Sequence, residues 1–331
     1  MPIRLPANRP AARFYRGGER IAGFRGEPRP AGGEAEEREP EDWIASTTTV
    51  AGETRTGLTV LLDGVLLRDA VAADPVHWLG AAHAHRWGSD TRLLVKLLDA
   101  GQRLPVHAHP DDAFAAAHLG RTHGKAEAWY ILSEGTVHLG LREDVEPVRL
   151  AALVARQDTD ALLGLLHRVA VRPGDVVWVP PGELHAIGAG VLLLELQQPE
   201  DLSILLEWRG FALDGAVDGH VGIGFDRALT AVTHRARTSA EMARLVHPAP
   251  AEAGGSVFPA AADPFFRLER HALDGERALA AGFAVAVVSA GELRLGGQEA
   301  PAGTTWLIAA AEGAVTANGR GEILVARPPA P

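Results

Sequence analysis

The apolar residues of this chain come in short runs cut by glycine and proline, and that rhythm limits the possible fold more than any other feature. Residues 58–62, 93–98, 128–132, 176–179 and 191–196 are each too short to make an amphipathic helix, and turn-forming residues stand between them. The pattern predicts a mainly β protein, a sandwich or barrel. Two stretches break it. Residues 111–119 are rich in alanine, and residues 150–168 carry Leu153, Leu162, Leu163, Leu165 and Leu166 at near-helical spacing, so both read as helical insertions packed on a β core. Further on, 211–250 has loop and helix character, and 283–288, 292–295, 305–309 and 322–325 form a second β block. A chain of 331 residues is more than one core usually holds. The expected lobes are 1–210 and 211–331, with 26–41 and 327–331 as loop or tail.

Charge and cysteine content narrow the chemistry. Asp and Glu number 42 against 32 Lys and Arg, a net charge of −10, which argues against a nucleic-acid or anionic-membrane partner. No run approaches the length of a membrane span, and residues 1–14 carry arginine and proline rather than an apolar stretch, so a soluble, cytoplasmic chain is expected. With no cysteine there is no thiolate nucleophile and no sulfur ligand, and a metal site would have to be built from His and carboxylate. Lys96 and Lys125 are the only lysines. In a chain whose basic charge is otherwise arginine, both positions are candidates for a compact ammonium in a tight site.

The chemistry concentrates in three places. Gly101 is followed after five residues by His107-Ala-His109, two histidines on one face of a strand. Next comes Gly124-Lys125-Ala-Glu127-Ala-Trp129-Tyr130. Last, Gly174 is followed after five residues by Pro180-Pro-Gly182-Glu183-Leu-His185. The Pro-x-Gly turn sets the backbone just ahead of the last histidine.

This spacing resembles the two signature motifs of the cupin barrels, and the seventeen residues between His109 and Glu127 narrow the resemblance to type I phosphomannose isomerase. The likeness takes in Glu41-Asp-Trp43, Lys96, Glu195-Leu-Gln-Gln198 and the histidine-poor second β block, and so covers nearly the whole chain. It implies two cupin (jelly-roll) barrels with helical insertions, a catalytic barrel over 1–210 and a metal-free one over 211–331. It further implies an aldose–ketose isomerase interconverting mannose 6-phosphate and fructose 6-phosphate, or a related sugar, through a cis-enediol. One divalent metal per chain would be held by His107, His109, Glu127 and His185, with His107 standing where the family has Gln. Zinc is expected first, and manganese, iron, cobalt or nickel also suit three His and one Glu.

Moving a proton between C1 and C2 needs a Lewis acid at the oxygens and a proton carrier beside the carbons. Glu183 and Lys125 are the candidate carriers. Lys96, Lys125 and Arg209 are the candidates for holding an anionic substrate. Arg209 enters with a discrepancy, because the family's arginine falls on Leu205, four strand residues or roughly 13 Å away. The expected partner is a sugar or sugar phosphate, to a monomer or homodimer. Two other classes use the same ligands: an oxygenase or decarboxylase with iron or manganese, and a sugar-binding cupin without catalysis. His83-Ala-His85 has no matching carboxylate and reads as structural, His118 and His123 read as solvent-facing or else as lining the site, and Trp43, Trp129 and Trp178 as core by default or else sugar-stacking.

Overall fold

The computed structural model describes residues 1–28, 38–250 and 255–331. The expectation of loop over 26–41 falls largely outside the described residues. Three antiparallel sheets make up the architecture. A six-stranded sheet runs Val246–Pro248, Asp175–Val179, Glu127–Ile131, Leu192–Gln197, Leu94–Asp99, Glu41–Ile44. A five-stranded sheet runs Ile204–Leu205, His107–Ala108, His185–Ile187, Gly135–Leu141, Leu166–Val171. The third contains Ile3–Leu5, Thr305–Ile308, Ala284–Leu295, Val315–Arg327 and Arg267–Leu279, with Gln298–Pro301 added beside Ala284–Leu295. The chain is mainly β, as the punctuated apolar runs predict.

Hydrogen bonding crosses residue 210 in both directions. Ile3–Leu5 pairs with Thr305–Leu307 of the third sheet, and Val246–Pro248 pairs with Asp175–Val177 of the first. The apolar cluster that includes Trp129, Leu194 and Trp178 also takes in Phe266, Val285 and Leu324, so the sheets share a continuous core.

Four local expectations change. Residues 58–62 do not form a strand; Val60 makes one isolated bridge to Leu66 across a turn. The helix over 150–168 divides at Gln157, whose left-handed backbone ends Pro147–Arg156, after which Thr159–Gly164 follows and Leu166 already belongs to a strand. The break at 289–291 is a bulge inside one long strand, Ala284–Leu295. Three short helices, Leu67–Ala73, Pro75–Leu79 and Ala81–Trp87, occupy a stretch with no helical reading from sequence.

The insertion behind His109 is a closed excursion. The Asp111 side chain caps the helix Asp112–Leu119 by accepting from the Phe114 N–H, and Gly120 ends it in a left-handed conformation. Lys125 N–H returns to the Pro110 carbonyl at 3.0 Å. Gly124 is required there, because a Cβ would lie 2.3 Å from the Pro110 oxygen. The chain thus re-enters the sheet in register, with Glu127 opposite Gln197 and Val179.

Candidate metal centre and its cavity

His107 and His185 are direct partners across antiparallel strands, and His109 lies two residues beyond His107. Glu127 comes from the facing six-stranded sheet, so the group bridges the two sheets. The four ligand atoms lie within 4.8 Å of one another and all four residues are buried. The turn before His185 is tied to the first motif: Gly182 has φ +83°, and its N–H donates to the His109 carbonyl at 2.7 Å.

The three imidazoles are oriented alike. Nδ1 of His107, His109 and His185 meets the carbonyls of Pro105, Leu202 and Glu183 at 2.8, 2.7 and 2.9 Å. A carbonyl only accepts, so each Nδ1 carries the proton and each Nε2 turns a lone pair inward. Burial, then neighbouring positive charge, keeps His107 well below its ordinary pKa and His109 down at about 3, so both rings are neutral near pH 7. His185 Nε2 is buried without a hydrogen-bond partner and lies 3.2 Å from Glu127 Oε1. Two facing acceptors in a buried site call for a cation between them. The residues therefore fit a divalent metal, and the set can hold one ion.

Glu127 is held well below the ordinary carboxylate range: burial alone would raise it, but Lys125 and His109 outweigh that. Lys125 Nζ lies 2.7 Å from Glu127 Oε2 and 3.1 Å from His109 Nε2. Burial works against the Lys125 charge, yet Glu127 and Glu195 raise its pKa overall. Lys125 thus sits as a buried, carboxylate-paired cation directly beside the ligands.

A cavity of about 890 Å³ opens over the site, lined by Glu127, His107, Lys125, Lys96, Glu195, Glu41, Arg13 and Asp201 among others. Its charged floor is a cross-strand row in which Trp43 pairs with Lys96, Lys96 with Glu195, and Glu195 with Trp129. Lys96 Nζ sits 3.4 Å from Glu41, 3.6 Å from Glu195 and 4.6 Å from the Trp43 ring centre. Trp129 Nε1 donates to Glu195 at 3.3 Å. Burial and the neighbouring Glu127 charge push Glu195 up to about 7, against Lys125 and Lys96.

Two sequence candidates lie elsewhere. Glu183 is buried, but its carboxylate accepts from Arg237 Nε at 2.9 Å, beneath Gly140, and it does not line the cavity. What Glu183 gives the site is its backbone carbonyl, which orients His185. Arg209 is exposed past the end of Ile204–Leu205, with its guanidinium on the Arg156 carbonyl at 3.3 Å. Leu205, at the position where the resemblance expects arginine, does line the cavity. The side chains of Glu183 and Arg209 are thus not brought together with the ligand set and the cavity.

Arg13 and Asp201 were not singled out as site residues in the sequence. Arg13 lies among residues that read as an ordinary Arg- and Pro-containing terminus, yet it pairs with Asp201 at 3.2 Å and Glu41 at 3.3 Å. Tyr15 also donates to Glu41, at 2.6 Å. The signal was only the proximity of these residues in space. His83 bonds the Asp90 carbonyl at 2.7 Å, a structural role. His123 is buried rather than solvent-facing, 2.7 Å from Asp90 Oδ2, and exposed His118 stands at the cavity rim. Trp43, Trp129 and Trp178 are all buried in the core.

Fold and site together define a cupin-like β protein with a buried three-His, one-Glu cluster that could bind one metal ion. No family model matches the chain. In sequence it is 36% identical over 151 residues to mannose-6-phosphate isomerase of Streptococcus mutans, a match covering 44% of this chain and 45% of the relative. It is 40% identical over 117 residues to mannose-6-phosphate isomerase ManA of Bacillus subtilis, covering 34% and 36%. Each match spans less than half the length of the relative. In structure it superposes on a variant of phosphomannose isomerase from Salmonella typhimurium with TM-score 0.76 at 18% identity, over 99% of this chain and 100% of that one. The Bacillus subtilis mannose 6-phosphate isomerase gives TM-score 0.68 at 22% identity, over 98% and 99%. The fold is therefore that of these isomerases along the whole chain, and the sequence matches are consistent with the type I phosphomannose isomerase family.

Proposed function

We propose that this chain is a metal-dependent aldose–ketose isomerase of the mannose–fructose type, acting on the 6-phosphates or the related free sugars through a cis-enediol. The observation that carries the reading is the set of inward-facing Nε2 atoms and Glu127 at the floor of a cavity wide enough for a hexose, together with the named relatives. A bound divalent cation, with zinc first among the candidates, would supply Lewis-acid polarisation of the sugar's carbonyl and adjacent hydroxyl.

The chain's own groups divide the rest of the work. Lys125 Nζ, beside the ligands, donates to the oxygen that gains negative charge as the proton leaves carbon. Glu195 is the proton carrier between C1 and C2, since a carboxylate at about 7 passes between its two forms near neutral pH. Lys96 and Trp129 hold Glu195 in place on the floor of the cavity. No helix among the described residues is long and apolar enough to cross a membrane.

The test is product analysis with metal-loaded protein. Mannose and fructose, free or 6-phosphorylated, should interconvert without uptake of oxygen. Oxygen consumption without ketose or aldose formation would reject isomerisation in favour of a cupin oxygenase.

A further inference from the structure

The cations of the cavity are already matched with carboxylates. Among the described residues, every cation that lines it has a carboxylate within salt-bridge distance: Arg13 with Asp201 and Glu41, Lys96 with Glu41 and Glu195, Lys125 with Glu127, and Arg121 with Glu200. Leaving histidine aside, five carboxylates line the cavity against four cations. Another part of the lining is largely apolar, formed by Leu202, Leu205, Leu213, Val217, Val221 and Ile223, with the carboxylate of Asp218 the one charged side chain on that stretch.

A phosphate group needs cations or N–H donors not already committed to a carboxylate. Brought into this cavity, a dianion would have to displace a carboxylate from its cation or lie desolvated against leucine and valine. Hydroxyl groups face no such conflict. Each hydroxyl donates once and accepts twice, so a paired ammonium or guanidinium and its carboxylate can serve neighbouring hydroxyls together. The apolar wall suits the C–H face of a sugar.

We propose that the cavity selects an uncharged hexose, with a hydroxyl rather than a phosphate at the end remote from the metal ligands. This rests on the isomerase reading and chooses between the substrates that reading leaves open.

The experiment uses full-length, metal-loaded protein and two readouts. Steady-state kinetics with D-mannose, D-fructose and their 6-phosphates should give kcat/KM at least tenfold higher for the free sugars. A higher value for the 6-phosphates would overturn the proposal and leave the isomerase reading intact. Thermal shift with mannitol and mannitol 6-phosphate, which cannot isomerise, separates binding from turnover. Mannitol should raise Tm, while its 6-phosphate and inorganic phosphate should raise it less or not at all. If no sugar turns over but this binding order holds, isomerisation fails and the selectivity stands; the reverse order, or no shift with mannitol, overturns the selectivity. Val217→Arg adds a cation to the exposed rim of the cavity, against the single carboxylate of Asp218 beside it. It should move the kcat/KM ratio toward the 6-phosphate by about tenfold, and an unchanged ratio would count against the proposal.

Discussion

The two six-stranded sheets bury different groups. In the first, the cross-strand row Trp43, Lys96, Glu195, Trp129 puts an ammonium and a carboxylate inside, beside Glu41 and Glu127. In the third, Leu273, Leu293, Trp306 and Ile323 pack in one apolar cluster, and the ion pairs Arg270–Glu322 and Arg327–Glu269 lie toward its margin. Buried charge costs stability unless it is fully partnered, and even then an apolar replacement often does as well. In the first sheet Lys96, Glu195, Glu41 and Glu127 line an open cavity, whereas none of the strands of the third sheet does.

That contrast predicts effects on different observables. His185→Ala should give the largest: loss of bound metal by elemental analysis and a fall in turnover of roughly 10³-fold or more. A full metal complement in that variant would refute the ligand set. Glu195→Gln should keep the metal and lower kcat by ~10²–10⁴.

The same variant should change the pH dependence of stability in the metal-free protein. The Glu195 pKa is raised on folding from 4.5 to about 7, so the folded chain binds the extra proton between those values. Its contribution is fully present below pH 4.5 and is lost as pH rises through about 7. His107 and His109, lowered on folding, act oppositely below 6.5. The difference in Tm between wild type and E195Q, measured from pH 4.5 to 7.5, isolates the carboxyl, and it should shift against the wild type as pH rises. A pH-independent difference would place the carboxyl in ordinary ionised form.

Trp306→Ala, in the apolar cluster of the third sheet, should cost about 3–5 kcal/mol in denaturant unfolding. Below the transition its kcat should stay within about twofold of wild type, given its place in the packing cluster. A large drop in kcat at full folding would break the contrast between the sheets. Arg209→Ala should be the mildest, with kcat/KM changed less than about twofold, because the guanidinium reaches only an exposed carbonyl.

The parts of this picture that could be read in sequence are those fixed by local backbone geometry. A His-x-His pair on a strand and a Pro-x-Gly turn before a third histidine determine ligand directions within a few residues, and the scarcity of lysine drew attention to Lys96 and Lys125. Groups whose surroundings depend on distant pairing were not legible. Glu183 lies next to the right histidine, yet Arg237 turns its carboxylate away. Arg209 follows the right strand, yet that strand stops at Leu205. Arg13 becomes a cavity residue only through Asp201, far along the chain. The same holds for the long bulged strand Ala284–Leu295, whose two halves read as separate because Gly291 looks like a turn, whereas it packs against Arg320 and Gly321 of the neighbouring strand.

The most direct test of a metal-dependent isomerase is proton exchange in D₂O, followed by NMR, comparing chelator-stripped protein with the same protein reloaded to one metal per chain. The account predicts deuterium at C1 or C2 and appearance of the partner sugar in the reloaded protein, with both lost on stripping. Undiminished exchange in the stripped protein, or none in a fully reloaded one with any of the four sugars, would contradict it.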